Sequence, residues 1–221
     1  MWGLPQTDMV TKADRYAVPH MQDFTRILAG KSIFSRIDLV KSYHQIPVRA
    51  PDVCKTAIAT PFGAFEYLRM PFGLKNAGQT FQRLLDSVTE GLDRTFCYIN
   101  DILVASTDEK QHEQDLRRLF QRLARHGLTV NKAKSQLRVR KLEFLGHSVS
   151  ADGVEPLPER VEMLGKKVKP TTIQQLRSFL GYINFYHRFI PPCSKILYPL
   201  HGQADGHDHL DCRAGIGLRS G

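Results

Sequence analysis

The 221 residues suffice for one large or two small domains with an apolar core, and 31 basic against 22 acidic residues give a net charge of +9 that favours a polyanionic partner. The four cysteines, Cys54, Cys97, Cys193 and Cys212, are scattered without a C-x-x-C pair, which excludes a disulfide scaffold and reads as reduced thiols. The N-terminus lacks the apolar core of a signal peptide and no apolar run reaches membrane-spanning length, so the expectation is a soluble chain inside the cell, cytoplasmic or nuclear, with no membrane partner.

Met21, Phe24, Ile27 and Leu28 fall at helical spacing, and Gly30 follows as a stop. Ser32 to Val40 alternates as a strand, with Ile33, Ile37 and Leu39 on one face and Phe34, Arg36, Asp38 and Val40 on the other. A carboxylate is depleted inside strands, so Asp38 needs a partner: a nearby arginine, a backbone amide, or a shared cation. Residues 56–70 read as a hairpin around Thr60-Pro61-Phe62-Gly63. Pro71 to Gln82 leads into a helix with an apolar stripe of Phe81, Leu84, Leu85 and Val88 that ends near Gly91.

Phe96 to Ser106, F-C-Y-I-N-D-I-L-V-A-S, holds two short runs rich in β-branched and aromatic residues. Asn100 and Asp101 separate them and are expected to take the turn, because both tolerate positive φ. An acidic residue at such a tip is held rigidly and pointed outward, as a metal-dependent site requires, although Asn-Asp is also an ordinary turn dipeptide. Ser106 and Glu109 then read as a capping box for a helix with Leu116, Leu119, Phe120 and Leu123 inside and Arg117, Arg118, Arg122 and Arg125 as a solvated face, stopped at Gly127. Leu142 to Val154 reads as one hairpin across Ala151-Asp152-Gly153. Pro156 and Pro158 mark a linker, and Thr171 with Gln174 caps a helix carrying Leu176, Phe179, Leu180 and Ile183, ended by Pro191-Pro192. In the Gly-rich tail, His207, His209 and Cys212 lack a second pair of ligands, and residues 201–221 read as disordered.

Four strings stand in a telling order: F-S-R-I-D-L-V-K-S-Y-H-Q-I (34–46), M-P-F-G-L-K-N-A-G-Q-T-F-Q (70–82), Y-I-N-D-I-L-V (98–104) and L-E-F-L-G-H (142–147). In that order they resemble motifs of reverse transcriptases from gypsy-type long-terminal-repeat retrotransposons, and the resemblance runs from about Lys12 to about Leu200. It implies an α+β fold: a right-hand polymerase palm, an antiparallel sheet with helices on one face, followed by the start of a thumb. The basic, β-rich fingers that normally come first are largely missing, with only about ten residues ahead of Lys12, so the chain reads as a partial copy of a Pol polyprotein. The expected organisation is a remnant at 1–11, palm with a residual fingers segment at 12–154, thumb or connection-like helices at 155–200, and an unrelated tail at 201–221 where connection, ribonuclease H and integrase regions are absent.

The resemblance also implies roles. Leu39, Tyr43, Phe72 and Gly73 would contact the incoming nucleotide, with Tyr43 beneath the sugar, where a stiff ring excludes a 2′-hydroxyl. The 56–70 hairpin would lie near the template. Lys134, in L-T-V-N-K-A-K-S-Q, would protonate the departing pyrophosphate; without the resemblance it is simply a solvated lysine. Phe144, Leu145, Gly146 and His147 would form the primer grip, or else a packing hairpin. Arg177, Asn184 and Arg188 would meet duplex phosphates. Gly78 stands where the family usually has Pro.

The implied activity is RNA-directed DNA polymerisation, nucleotidyl transfer from deoxynucleoside triphosphates to a primer 3′-hydroxyl on an RNA or DNA template. It uses two Mg²⁺ ions, or Mn²⁺, and the positions implied to hold them here are Asp38, Leu39 and Asp101. The family's hairpin motif is Y-x-D-D, whereas this chain has Y-I-N-D, with Asn100 at a metal-ligand position. An amide offers oxygen without charge, and a loss of several kcal/mol of stabilisation slows the reaction roughly a thousandfold or more. The expectation is a reverse transcriptase impaired at Asn100; the alternatives are a non-catalytic nucleic-acid-binding remnant or a functionless relic.

Overall fold

The computed structural model describes residues 11–20, 23–159, 162 and 172–186, and the chain divides into two compact units, Met1–Val154 and Glu155–Gly221. In chain order the first unit holds α1 (Phe24–Leu28), β1 (Ile33–Asp38), β2 (Ile58–Thr60), β3 (Gly63–Phe65), α2 (Ala77–Thr89), β4 (Thr95–Tyr98) and β5 (Asp101–Ser106). It continues with α3 (Glu109–Arg125), β6 (Gln136–Val139), β7 (Lys141–Phe144), β8 (His147–Ser150) and β9 (Gly153–Pro156), which begins in this unit.

The central sheet runs β4-β5-β1-β6, with each adjoining pair antiparallel. Strand alternation gives it two apolar faces. Ile37, Ile102, Val104 and Cys97 meet Phe81, Leu85 and Val88 of α2 and Leu116, Leu119 and Leu123 of α3. On the other face Phe34, Phe96, Leu103 and Ala105 pack on Phe24 of α1 and on Leu142, Phe144 and Val149 of β7 and β8. Each fully buried Leu or Phe contributes about 1.5–3 kcal/mol relative to exposure. Arg36 and Asp38 share the second face with Phe34, two and four residues along, so the carboxylate emerges where that core ends.

Several local expectations are corrected. Asn100 and Asp101 do not form the turn: Ile99 and Asn100 do, and Asp101 is the first residue of β5, paired with Tyr98. Ser106 does not cap α3. Its hydroxyl is buried and donates to Asp115, and the cap is Asp108, whose side chain accepts from the Gln111 amide. Of the four arginines assigned to a solvated face, Arg122 instead donates to the Val88 and Glu90 carbonyls, covering the C-terminal end of α2. The segment read as one hairpin is a three-stranded meander with an additional turn at Leu145-Gly146, both residues at positive φ. The β2–β3 hairpin forms around Pro61-Phe62 as expected.

In the second unit α4 (Ile173–Tyr186) begins at Thr172, whose hydroxyl accepts the Gln175 amide at 3.2 Å. Leu176 and Leu180 are buried and Arg177 is exposed. Thr171, Arg188, Pro191-Pro192 and the tail lie outside the described residues. No helix among the described residues is long and apolar enough to cross a membrane.

Candidate active site

The two acidic residues singled out in the sequence are direct cross-strand partners, Asp38 at the end of β1 opposite Asp101 at the start of β5. Paired residues in an antiparallel ladder project to the same side, their Cβ atoms ~5 Å apart. Five further register pairs, from Ile33↔Ser106 to Ile37↔Ile102, fix that alignment. The backbone of Asp38 is held again from the other side: its N–H donates to Ser135 Oγ at 3.1 Å and its carbonyl accepts the Asn131 N–H at 2.8 Å.

Charge at this end of the sheet is unbalanced. Burial is the main cause that pushes the Asp101 carboxyl above the ordinary carboxylate range; nearby Arg36 pulls it down and Asp38 pushes it up. Arg36 lies diagonally across, its Nε 3.8 Å from Asp101 Oδ1 and its Nη1 donating to the Glu143 carbonyl at 3.1 Å. That Nε is buried and makes no hydrogen bond. Two carboxylates on one face with Arg36 imperfectly engaged, the one cation paired with them among the described residues, form a donor set that a divalent cation suits. Leu39 has a buried apolar side chain, so only its carbonyl can serve as a ligand. Its bridge to Val130 is made by Val40 N–H to Thr129 O and Asn131 N–H to Asp38 O, which leaves the Leu39 carbonyl outside both bonds.

The hairpin turn carries strain. Ile99 sits at φ 52°, a left-handed conformation that costs a β-branched residue on the order of 1–3 kcal/mol and persists only where the surroundings enforce it. Gln82 of α2 enforces it. This side chain is fully buried; its Oε1 accepts the Ile99 N–H at 2.7 Å and its Nε2 donates to the Cys97 carbonyl at 3.0 Å. Sequence reading missed Gln82. The available signal was a glutamine three residues before Leu85 on the buried stripe, where a polar amide requires fixed partners.

Around the nucleotide-side residues, Tyr43 is half-buried and meets Phe72 and Phe81 edge-on at 5.5 and 5.7 Å, while His44 meets Phe72 at 4.9 Å. Phe72 remains 58% exposed, so a flat apolar ring faces solvent beside Tyr43. Gly73 follows at φ 91°, a conformation that glycine adopts without strain. Lys134 is exposed and precedes Ser135, the residue that holds Asp38.

The residues matched to a primer grip divide. Phe144 is fully buried and His147 is 5% exposed, tilted against Phe24 with its Nδ1–H donating to the Leu145 carbonyl at 3.0 Å. His147 is thus part of the core, and Leu145-Gly146 form the turn at the hairpin tip. Among the described residues no cluster of three His, Cys, Asp or Glu side chains has metal-binding geometry. Cys54 and Cys97 are free thiols, and burial pushes Cys97 up to about 12, leaving it inert.

Comparison with known proteins accords with this geometry. The chain is 36% identical over 193 residues to the retrovirus-related Pol polyprotein from transposon 297 of Drosophila melanogaster, covering 86% of this chain and 18% of that protein. It is 37% identical to the counterpart from transposon opus of the same organism, again over 86% of this chain but 19% of the relative. The Tf2-3 transposon polyprotein of Schizosaccharomyces pombe is 32% identical over 191 residues, 86% of this chain and 14% of that one. The chain thus spans less than a fifth of these curated relatives.

Among solved structures, a foamy viral protease-reverse transcriptase in complex with double-stranded DNA superposes with a TM-score of 0.84 at 22% identity, over 93% of this chain and 36% of that one. The same enzyme type with an RNA/DNA hybrid gives 0.80 at 22% identity, over 94% and 28%. This likeness establishes the α+β, palm-like polymerase fold. Residues 4–149, which include both paired aspartates and the strained hairpin, match the family described as reverse transcriptase (RNA-dependent DNA polymerase), and to that family the chain belongs.

Proposed function

We propose that this chain is the palm of a retroelement RNA-directed DNA polymerase whose nucleotidyl transfer is impaired by Asn100. The observation that carries the reading is the Asp38↔Asp101 register pair, with Asn100 in the adjoining turn. The carboxylates of Asp38 and Asp101 and the Leu39 carbonyl would hold Mg²⁺ or Mn²⁺, which lowers the pKa of a primer 3′-hydroxyl and neutralises triphosphate charge. Asp38 and Asp101 supply fixed negative charge from two rigid strands. Tyr43 and Phe72 bound the nucleotide with stiff rings, Gly73 lets backbone approach it, and Lys134 is the cation available to protonate pyrophosphate. Arg177 would contact duplex phosphate. The partners are an RNA or DNA template-primer and deoxynucleoside triphosphates, inside the cell.

Asn100 contributes an oxygen dipole where a second hairpin carboxylate would contribute a charge, and metal affinity falls accordingly. Primer extension on a poly-A template with Mg²⁺ or Mn²⁺, comparing the chain with its Asn100→Asp variant, tests the proposal. Extension by the variant alone supports it. Equal extension by both proteins refutes the impairment, and extension by neither refutes the polymerase reading for this chain.

A non-catalytic role in nucleic-acid binding is favoured by a separate observation. Phe62, Phe65, Leu68 and Phe72 are exposed at 92, 54, 73 and 58%. The three phenylalanine rings are each flat surfaces on which a base can stack, and the chain is basic. Binding that falls steeply with salt yet ignores divalent metal is the signature of that role.

A further inference from the structure

The hydrogen bonds that hold the strained turn do not end at Gln82. Its Nε2 donates a second bond, to Asp86 Oδ1 at 2.8 Å, and Asp86 Oδ2 accepts the Tyr16 hydroxyl at 2.6 Å. Tyr16 belongs to residues 11–16, an extended strap lying along α2 and fastened to it by several contacts. Asp14 pairs with Arg83 at 2.6 Å and its N–H donates to Asn76 Oδ1 at 3.0 Å; Asn76 Nδ2 donates to the Lys12 carbonyl at 2.8 Å. The Arg83 guanidinium lies 4.6 Å from the centre of the Tyr16 ring.

We propose that Tyr16, acting through Asp86 and Gln82, is a positioning residue for the Ile99-Asn100 turn, so that the strap sets the aim of the catalytic hairpin. The logic lies in the glutamine amide. Its oxygen must face the Ile99 N–H, and its NH₂ must face the Cys97 carbonyl. Asp86 only accepts when ionised, so it can face only the NH₂ group and locks the amide against rotation. The Tyr16 hydroxyl, which only the second Asp86 oxygen receives, fixes the carboxylate in turn. Hydrogen bonding to Asp86 accordingly pushes the Tyr16 hydroxyl further above its usual pKa. Calling the hairpin catalytic rests on the function proposed above; the coupling itself does not.

Residue-resolved amide hydrogen exchange on the full chain therefore tests the coupling without any polymerase assay. Exchange at Ile99 is compared with exchange at Leu103, in the middle of β5, which reports general opening of the sheet. Tyr16→Phe removes one hydroxyl and is expected to speed Ile99 exchange roughly tenfold, the effect of losing a hydrogen bond to a charged group, while Leu103 changes far less. In a Gln82→Met background, where the relay is already cut, Tyr16→Phe should add nothing at Ile99. Unchanged exchange at Ile99, equal acceleration at Ile99 and Leu103, or additive effects of the two substitutions each overturn the proposal. If the Asn100→Asp chain extends primers, Tyr16→Phe in that background should lower kcat at unchanged KM for the nucleotide, and a KM effect alone counts against a positioning role. If Asn100→Asp does not extend primers, the function reading fails and the exchange experiment still decides the relay.

Discussion

His112 offers a quantitative test of the core behind the candidate site. It is fully buried on α3, with Nε2 2.7 Å from Ser35 Oγ of β1 and Nδ1 2.9 Å from Ser106 Oγ of β5. Ser106 spends its only proton on Asp115 Oδ2 at 2.8 Å, so His112 Nδ1–H must donate to Ser106 and Nε2 must accept the Ser35 hydroxyl. The neutral ring is fully satisfied. A second proton would leave the Ser35 hydroxyl hydrogen without its acceptor. Burial accordingly lowers the His112 pKa below 6.5; Asp115 opposes and Arg138 reinforces the shift.

Replacing His112 with Phe forfeits two hydrogen bonds, about 1 kcal/mol net each. Ser106 still reaches Asp115 and Ser35 Oγ still accepts the Arg138 N–H, but the Ser35 hydroxyl hydrogen loses its acceptor inside the core, so the loss should reach about 2–4 kcal/mol at pH 7.5. The pH dependence has a definite sign. Above pH 6.5, the ordinary value, neutral His112 contributes fully; below it the unfolded chain binds a proton that the folded chain refuses until its lowered pKa is reached. Across that window stability falls by up to ~1.4 kcal/mol per pH unit. Urea unfolding between pH 7.5 and 5 should show this slope in the parent chain and not in His112→Phe. Parallel pH profiles for the two proteins would refute the reasoning.

Gly78→Ala should raise the unfolding free energy measured in urea by about 0.5–1 kcal/mol, since a Cβ there meets only the Tyr43 hydroxyl, at 3.9 Å; a loss would show that α2 needs glycine. Arg36→Gln removes the one influence that lowers the Asp101 pKa, so a carboxyl-carbon NMR titration should move Asp101 upward, and a downward shift would contradict the assigned partnership. Phe62→Ser, at a position 92% exposed, should change stability by less than ~0.5 kcal/mol. The same change should weaken single-stranded RNA binding by about 1–3 kcal/mol if that ring stacks on a base, measured by fluorescence anisotropy.

The carboxylates were legible because an Asp inside an alternating strand is costly enough to demand a reason, and a second Asp followed a strand of the same character. The turn was misplaced by one residue because local preference assigns positive φ to Asn before Ile. A long-range contact overrode it: Gln82, distant in sequence, binds the Ile99 amide and pins the register that pairs Tyr98 with Asp101. The same cause hid the true cap of α3. Ser106 suits a capping box locally, but its hydroxyl is committed to Asp115 inside the core. β6 was hard to see because three of its four residues are exposed, and it exists through pairing with β1. What periodicity reveals is which face is buried; which polar group answers another across the fold is set by contacts that no local window contains.

These contacts also explain how the hairpin can carry either Asn or Asp at residue 100 on one frame. Asp38 and Asp101 are aligned by the β1–β5 ladder, the Asp38 backbone is gripped by Ser135 and Asn131, and Ile99 is held by Gln82. None of these bonds involves residue 100. Asn and Asp share a shape, so Asn100→Asp changes charge alone. Without metal, that charge joins a face where Asp101 is already raised by burial and by Asp38. Two like charges ~4 Å apart repel by about 1 kcal/mol even at the dielectric of water, which sets the scale for a third carboxylate in the adjoining turn. Asn100→Asp should therefore lower the metal-free unfolding free energy in urea by roughly that amount, and Mg²⁺ should recover the loss, because a ligand that binds only the folded chain stabilises it by mass action. In the parent chain the same Mg²⁺ concentration should raise the midpoint less. A metal-free variant as stable as its parent, or equal responses of the two to Mg²⁺, would mean that residue 100 does not share the charge environment of Asp38 and Asp101.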